Sequence, residues 1–273
     1  MIVEWLLEPL RFQFVQYGLL EMVILSVLTA VVGSLIVVRN LAFVTEAIAH
    51  GVFPGIVVAI LLQFNFLIGA IVSALLTVMG ISVTSSNRKV SENTAIGILF
   101  STALAIGVVL ISTTRNFKTS LSDVLIGDVL GVGVFDIITS VSVLAGVLIF
   151  VIVWYRHIVL TSFDPQFAKA IGINVKLINF VLYLSIAATV VVSVQAVGNL
   201  LIVAMATIPA ASARLTSRRI PEIMLKAIQY SLVISVLGMY LTFYLNLATG
   251  ATIVLLQSLW FYLVYGYTSL LKK

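Results

Sequence analysis

The stretch FLIGAIVSALLTVMGISVT, Phe66 to Thr84, runs for 19 residues without one charged side chain and stops short of Arg88-Lys89. At 1.5 Å per residue a helix of that length is roughly 28 Å long, which matches the hydrocarbon core of a bilayer. It is too long and too uniformly apolar for a barrel strand, which alternates. Working outward, comparable runs cover Tyr17–Val38 (ending at Arg39), Ala42–Leu62 (interrupted by Pro54-Gly55), Thr94–Ser112 and Asp136–Tyr155 (ending at Arg156-His157). Beyond a polar stretch, Thr161–Lys176, follow Leu177–Val194, Val197–Ala213, Ile223–Leu245 and Thr252–Leu271. The expectation is an all-α polytopic membrane protein of nine transmembrane helices, or eight if the chain is not cut near Gln195. The whole chain, 1–273, reads as one transmembrane domain.

Composition agrees. Of 273 residues, 62% are hydrophobic and 9% charged, more apolar surface than a soluble domain of this size can hide. The net charge of +5 reports orientation rather than a nucleic-acid partner. Arg39, Arg88-Lys89, Arg156, Lys169, Arg214, Arg218, Arg219 and Lys272-Lys273 all fall on one side, the cytoplasm by the positive-inside bias. The N-terminus then faces outward and the C-terminus inward, with Arg115 and Lys118 against the trend. Residues 2–14 mix Trp5, Phe12 and Leu residues with Glu4, Glu8 and Arg11, the pattern of an interfacial amphipathic helix. Residues 119–134 hold Asp123, Asp128 and three glycines and read as a short or re-entrant helix. No removable signal peptide is expected. With no cysteine, neither a disulfide nor a thiolate metal site is open to the chain.

Glu46 and His50 are the sharpest chemical signal. They lie four residues apart in an apolar helix, so they share one face. Counted from Arg39 they are roughly 10–16 Å into the membrane, near its middle. Ionisable groups at that depth are costly and usually functional or paired. A carboxylate and an imidazole at this spacing suit Mn²⁺, Fe²⁺ or Zn²⁺; the alternative is that they pair with each other or cap a neighbouring helix. Pro54 has no N–H to give the His50 carbonyl. A helix break at the site, with Gly51 and Gly55 allowing close approach, stands beside an ordinary proline kink.

Gln195, Asn199 and Pro209 make a second polar line, read as interhelical hydrogen bonding or as a wall of a translocation path. Asp123 and Asp128 are read as solvated loop carboxylates or as groups that attract cations. Between Ser162 and Gly172, Asp164 is placed to cap a short helix, Pro165 suits its first turn and Gly172 its end. Such a helix is either a docking surface or a plain connection. No G-x-x-x-x-G-K-[ST] and no H-E-x-x-H occurs, so neither P-loop ATPase nor that class of protease is encoded. His50 and His157 are the only histidines, so one chain offers a buried metal a single imidazole unless two chains meet at an axis.

Val38-Arg39-Asn40-Leu41 followed by Thr45-Glu46-Ala47-Ile48-Ala49-His50-Gly51-Val52-Phe53-Pro54-Gly55 resembles the manganese, zinc and iron ABC permease family, in which an arginine-leucine pair leads into a D-A-x-x-H-x-x-x-P-G helix. Four further stretches are similar to that family in the same order: Ala95 to Ser101 with Gly107 and Ser112, Leu125-Ile126-Gly127-Asp128, Phe163-Asp164 with Ala168 and Gly172, and Gln195 to Gly198 running on to Pro209 and Arg214. The resemblance spans about residues 15–270. It implies a type II ABC importer-like permease without a permanently bound cofactor. Mn²⁺ would be the transported ion, with Zn²⁺ or Fe²⁺ as alternatives. Two ATPase subunits would sit below, a metal-binding protein outside, and a second permease copy alongside, as a homodimer or a heterodimer. It also implies a prokaryotic plasma membrane, Glu46 and His50 as the cation site, and Phe163, Asp164, Ala168 and Gly172 as the ATPase-coupling segment, a cytoplasmic coupling helix over 162–173. The family usually has Asp where Glu46 stands, Ser at Ala49, and Phe and Asn at Ile126 and Asp128. The Pro-Gly pair resembles the manganese and iron branch.

Overall fold

In the computed structural model, residues 8–85, 89–112 and 131–271 are described. They form α1 (Gln13–Val38), α2 (Ala42–Leu61), α3 (Phe66–Ser85), α4 (Glu92–Ser112), α5 (Val134–Phe163), α6 (Pro165–Ala170), α7 (Val175–Thr216), α8 (Ile220–Leu245) and α9 (Thr249–Leu271). Among these residues nine stretches are long and apolar enough to span a bilayer, two of them within α7. The cut near Gln195 is real. Gly198 takes φ 75°, ψ 170°, a conformation open to glycine and few others, and it divides the 42-residue α7, too long for one span, into two.

Three expectations are corrected. The fifth helix does not stop at Tyr155. It bends at Trp154 (φ −106°, ψ 16°) and continues to Phe163, because neither proline nor glycine follows before Pro165. No separate helix occupies the described part of 1–14: Pro9–Arg11 is a single 3₁₀ turn, Phe12 is extended (φ −96°, ψ 124°), and α1 begins at Gln13. Pro9 starts the turn without an N–H, and the extended Phe12 ends it. Finally, α2 is one helix from Ala42 to Leu61 with Pro54 inside it, so the expected break at the site does not occur. The non-helical residues inside long helices are Trp154 of α5 and Gly198 of α7. Asp123 and Asp128, with Arg115 and Lys118, lie outside the described residues.

The chain divides into two compact units. One holds α1, the first part of α5 as far as Leu144, and the chain from Val192 onward. In it, small residues let helices approach, as is usual where lipid offers no hydrophobic drive between helices. A Cβ on Gly33 of α1 would overlap the Ala206 carbonyl of α7, and Ser26 Oγ donates to Ser235 Oγ of α8 at 3.2 Å. The other unit holds α2, α3, α4 and residues 145–191. There α2 lies directly on α3. A Cβ on Gly55 would overlap the Gly69 carbonyl, one on Gly69 would overlap the Gly55 carbonyl, and one on Gly51 would strike Thr77. Ser73 Oγ of α3 donates to the Gly51 carbonyl at 2.6 Å. On the α4 side, Phe53 fills the place a Cβ on Gly107 would take.

Candidate metal site and coupling segment

α2 carries the two ligand-type side chains, and its burial pattern singles them out. From Val44 to Ala59 every residue is buried except Glu46, His50, Pro54, Gly55 and Val58, which are half-buried. Glu46, His50, Pro54 and Val58 are spaced by four, so they make one stripe along the helix. The other faces are closed by Val44, Ala47, Ile48, Val52, Ile56 and Val57. The stripe is therefore where α2 stays open, and an acid and an imidazole occupy it one turn apart. The His50 ring stands edge-on to Phe100 of α4, with ring centres 5.1 Å apart and planes at 78°. This contact restrains the plane of the imidazole. Among the described residues no group of three or more His, Asp or Glu side chains could enclose an ion. The chain thus presents two side chains of ligand type on an open stripe.

Gln195 and Asn199 lie on α7 in the other unit, either side of the Gly198 bend. Asn199 is nearly buried, and its Oδ1 takes no hydrogen bond. Three polar groups gain partners through the packing, and two of them, Glu21 and Tyr183, sequence reading did not single out. Glu21 of α1 is fully buried; Ser140 Oγ of α5 donates to its Oε1, and its Oε2 has no partner. A carboxylate inside the first apolar run was the visible signal for it. Tyr183 of α7 is likewise buried, and its hydroxyl donates to Glu92 at the start of α4. The third is Arg39, which does more than mark a boundary. Its Nε donates to Ser162 Oγ at 2.8 Å, one terminal nitrogen to Asn179 Oδ1 at 2.7 Å, and the other to Thr161 Oγ1 at 2.8 Å and the Ile158 carbonyl at 3.4 Å. Burial lowers its pKa to about 10, and the charge of Glu92 opposes that lowering. It therefore remains a cation at neutral pH.

The Ser162–Gly172 segment folds as its residues dictate. Asp164 Oδ1 accepts from the Phe167 N–H at 2.8 Å, Pro165 opens α6, and Gly172 turns the chain out with φ 85°. Ala168 is fully buried and anchors the helix, whereas Phe163, Phe167 and Ile171 are 69%, 52% and 53% exposed. Phe167 and Ile171 are four apart on one side of α6 and its C-terminal end, and Phe163 closes α5 just before the non-helical Asp164 (φ −141°, ψ 81°) that separates the two helices.

Nine stretches of spanning length among the described residues define a multi-pass membrane protein. The comparisons say which kind. The ABC 3 transport family model matches residues 11–267, and the chain belongs to that family. It is 34% identical to the manganese transport system membrane protein MntC of Halalkalibacterium halodurans over 96% of this chain and 89% of the relative. It is 31% identical to the chelated iron transport system membrane protein YfeD of Yersinia pestis over 100% of this chain and 92% of the relative. The solved PsaBC structure from Streptococcus pneumoniae, in complex with Fab, superposes with a TM-score of 0.84 at 32% identity, covering 97% of this chain and 95% of that one. The chain is a multi-pass integral protein of a prokaryotic plasma membrane.

Proposed function

We propose that this chain is the membrane-spanning permease of an ATP-driven importer for Mn²⁺, with Zn²⁺ and Fe²⁺ as alternative cargoes, and that the ion passes a Glu46/His50 site. The observation that carries this reading is the α2 stripe. An otherwise buried helix leaves its one open face to a carboxylate and an imidazole, the ligand pair suited to these ions. Manganese and iron relatives of near full length support the class of cargo. One chain offers two ligands, so a second copy facing the first completes the site with two carboxylates and two imidazoles. Binding stays weak enough for release, as conduction requires, and a proton on His50 removes a ligand. Such a permease works with separate ATPase subunits and a metal-binding protein on the outer side.

The test is purified permease in liposomes, with and without its ATPase, given radioactive Mn²⁺ against Zn²⁺ and Fe²⁺ competitors. ATP-dependent uptake only with the partner is the expected result, and the competition order names the metal. Uptake by the permease alone would mean a cation channel or a proton-coupled transporter.

The exposed apolar side chains of Phe163, Phe167 and Ile171 make the ATPase-docking surface in this reading, with Asp164, Ala168 and Gly172 holding its shape. An exposed aromatic at the centre of such a patch is worth about 2 kcal/mol or more on truncation. Phe167→Asp is expected to weaken ATPase binding by about thirtyfold at unchanged membrane levels of the permease. Co-purification titrated with the ATPase reads this out, and undiminished binding rejects the assignment.

A further inference from the structure

Arg39 sits between the end of α1 and the start of α2, one residue before Asn40, whose φ of 57° makes a tight left-handed turn. Its guanidinium reaches residues on both sides of α6. Ile158, Thr161 and Ser162 precede that short helix, and Asn179 follows it. A planar fork of donors fixes several acceptors at once, which a lysine ammonium on a flexible stem does not reproduce. The docking segment therefore cannot shift as a unit without pulling on the turn that leads into α2, seven residues before Glu46.

A second connection runs from the same place. Asn179, held by Arg39 at 2.7 Å, is one turn before Tyr183, whose hydroxyl bonds Glu92. Glu92 begins α4 and lies in the field of Arg39. Two turns on, along the same face of α4, is Phe100, whose ring is set edge-on to His50 at 5.1 Å. Both connections stay within the unit formed by α2, α3, α4 and residues 145–191. One arrives at the helix that bears Glu46 and His50, the other at the ring that orients His50.

We propose that Arg39, with Asn179, Tyr183 and Glu92, is a positioning clamp that transmits movement of the 163–172 docking segment to the Glu46/His50 pair. This rests on the permease reading above and adds to it which residues link ATP hydrolysis to the ion site. Their role is coupling; none of them needs to touch the ion.

The test uses the complete permease–ATPase complex in liposomes, reading ATP hydrolysis and radioactive Mn²⁺ imported per ATP separately. Arg39→Lys keeps the charge and loses the fork. The complex should still assemble and hydrolyse ATP near the wild-type rate, while Mn²⁺ moved per ATP falls about tenfold, within the usual range of coupling between sites. Tyr183→Phe removes one hydroxyl and is expected to lower the same ratio about threefold, as for one hydrogen bond. Tyr183→Phe with Glu92→Gln should be no worse than the worse single change, because partners in one contact are not additive. An unchanged ratio in Arg39→Lys and Tyr183→Phe overturns the proposal. So does a parallel loss of hydrolysis and import, since the cluster would then only hold the docking surface. Should Arg39→Lys not reach the membrane, Tyr183→Phe and Asn179→Ala decide it by the same ratio. Failure of the permease reading shows elsewhere, as wild-type complex that imports no Mn²⁺ with ATP, or as Phe167→Asp that still binds the ATPase.

Discussion

His50→Ala is expected to lower Mn²⁺ uptake by about a hundredfold while the permease still reaches the membrane and binds its ATPase. The substitution removes the one imidazole on the open α2 stripe. Because His50 is half-buried, it leaves no enclosed cavity, and α2 keeps its buried faces against α3 and α4. Glu46→Ala should behave alike, since it deletes the only carboxylate on the stripe. Glu46→Asp keeps the charge but withdraws it by one methylene, so uptake should fall less and metal preference should shift. Radioactive Mn²⁺ uptake by cells at matched expression, with Zn²⁺ and Fe²⁺ as competitors, separates these variants. Normal uptake by both alanine variants would make the pair structural and send the search to Asn199 and Gln195.

Gly55→Val is expected to destabilise the permease by about 3 kcal/mol, the upper part of the range for forcing atoms into a packed contact. Gly55 and Gly69 each face the other's carbonyl oxygen with no room for a Cβ, so a side chain at either must push α2 and α3 apart. Ser73 would lose its 2.6 Å bond to the Gly51 carbonyl in the same movement, and Glu46 and His50 would shift with their helix. The control is Gly97→Ala in α4, where an added Cβ meets nothing within 4 Å. Exchange of glycine for alanine in an open helix position is neutral or mildly favourable. Thermal unfolding in detergent, followed by size-exclusion chromatography, reads both. Equal midpoints for Gly55→Val and the wild type would show that the two helices part at little cost.

Nearly all of the spanning architecture was legible in the sequence, because an apolar run of bilayer length in lipid has only a helix open to it. The runs from Tyr17 to Val38, Phe66 to Thr84 and Thr94 to Ser112 fall within a few residues of α1, α3 and α4. The short helix at 165–170 was legible for a local reason: a capping Asp164, Pro165 and Gly172 fix it without help from elsewhere. So was the shared face of Glu46 and His50, which follows from a spacing of four. Other features needed the tertiary structure, because they depend on which helix meets which. Pro54 alone is ambiguous between a kink and a break. Its helix stays continuous, packed on α3 through Gly51 and Gly55, while the bend falls at Gly198, where φ is positive. The acceptors of Arg39 lie 119 to 140 residues away, so the sequence marked it as a membrane boundary and as part of a motif but gave none of its partners. Glu21 was one acid in an apolar run until α5 brought Ser140 to it. Local chemistry determined the elements and the candidate ion ligands; only long-range packing decided which face of α2 stays open and which residues Arg39 ties together.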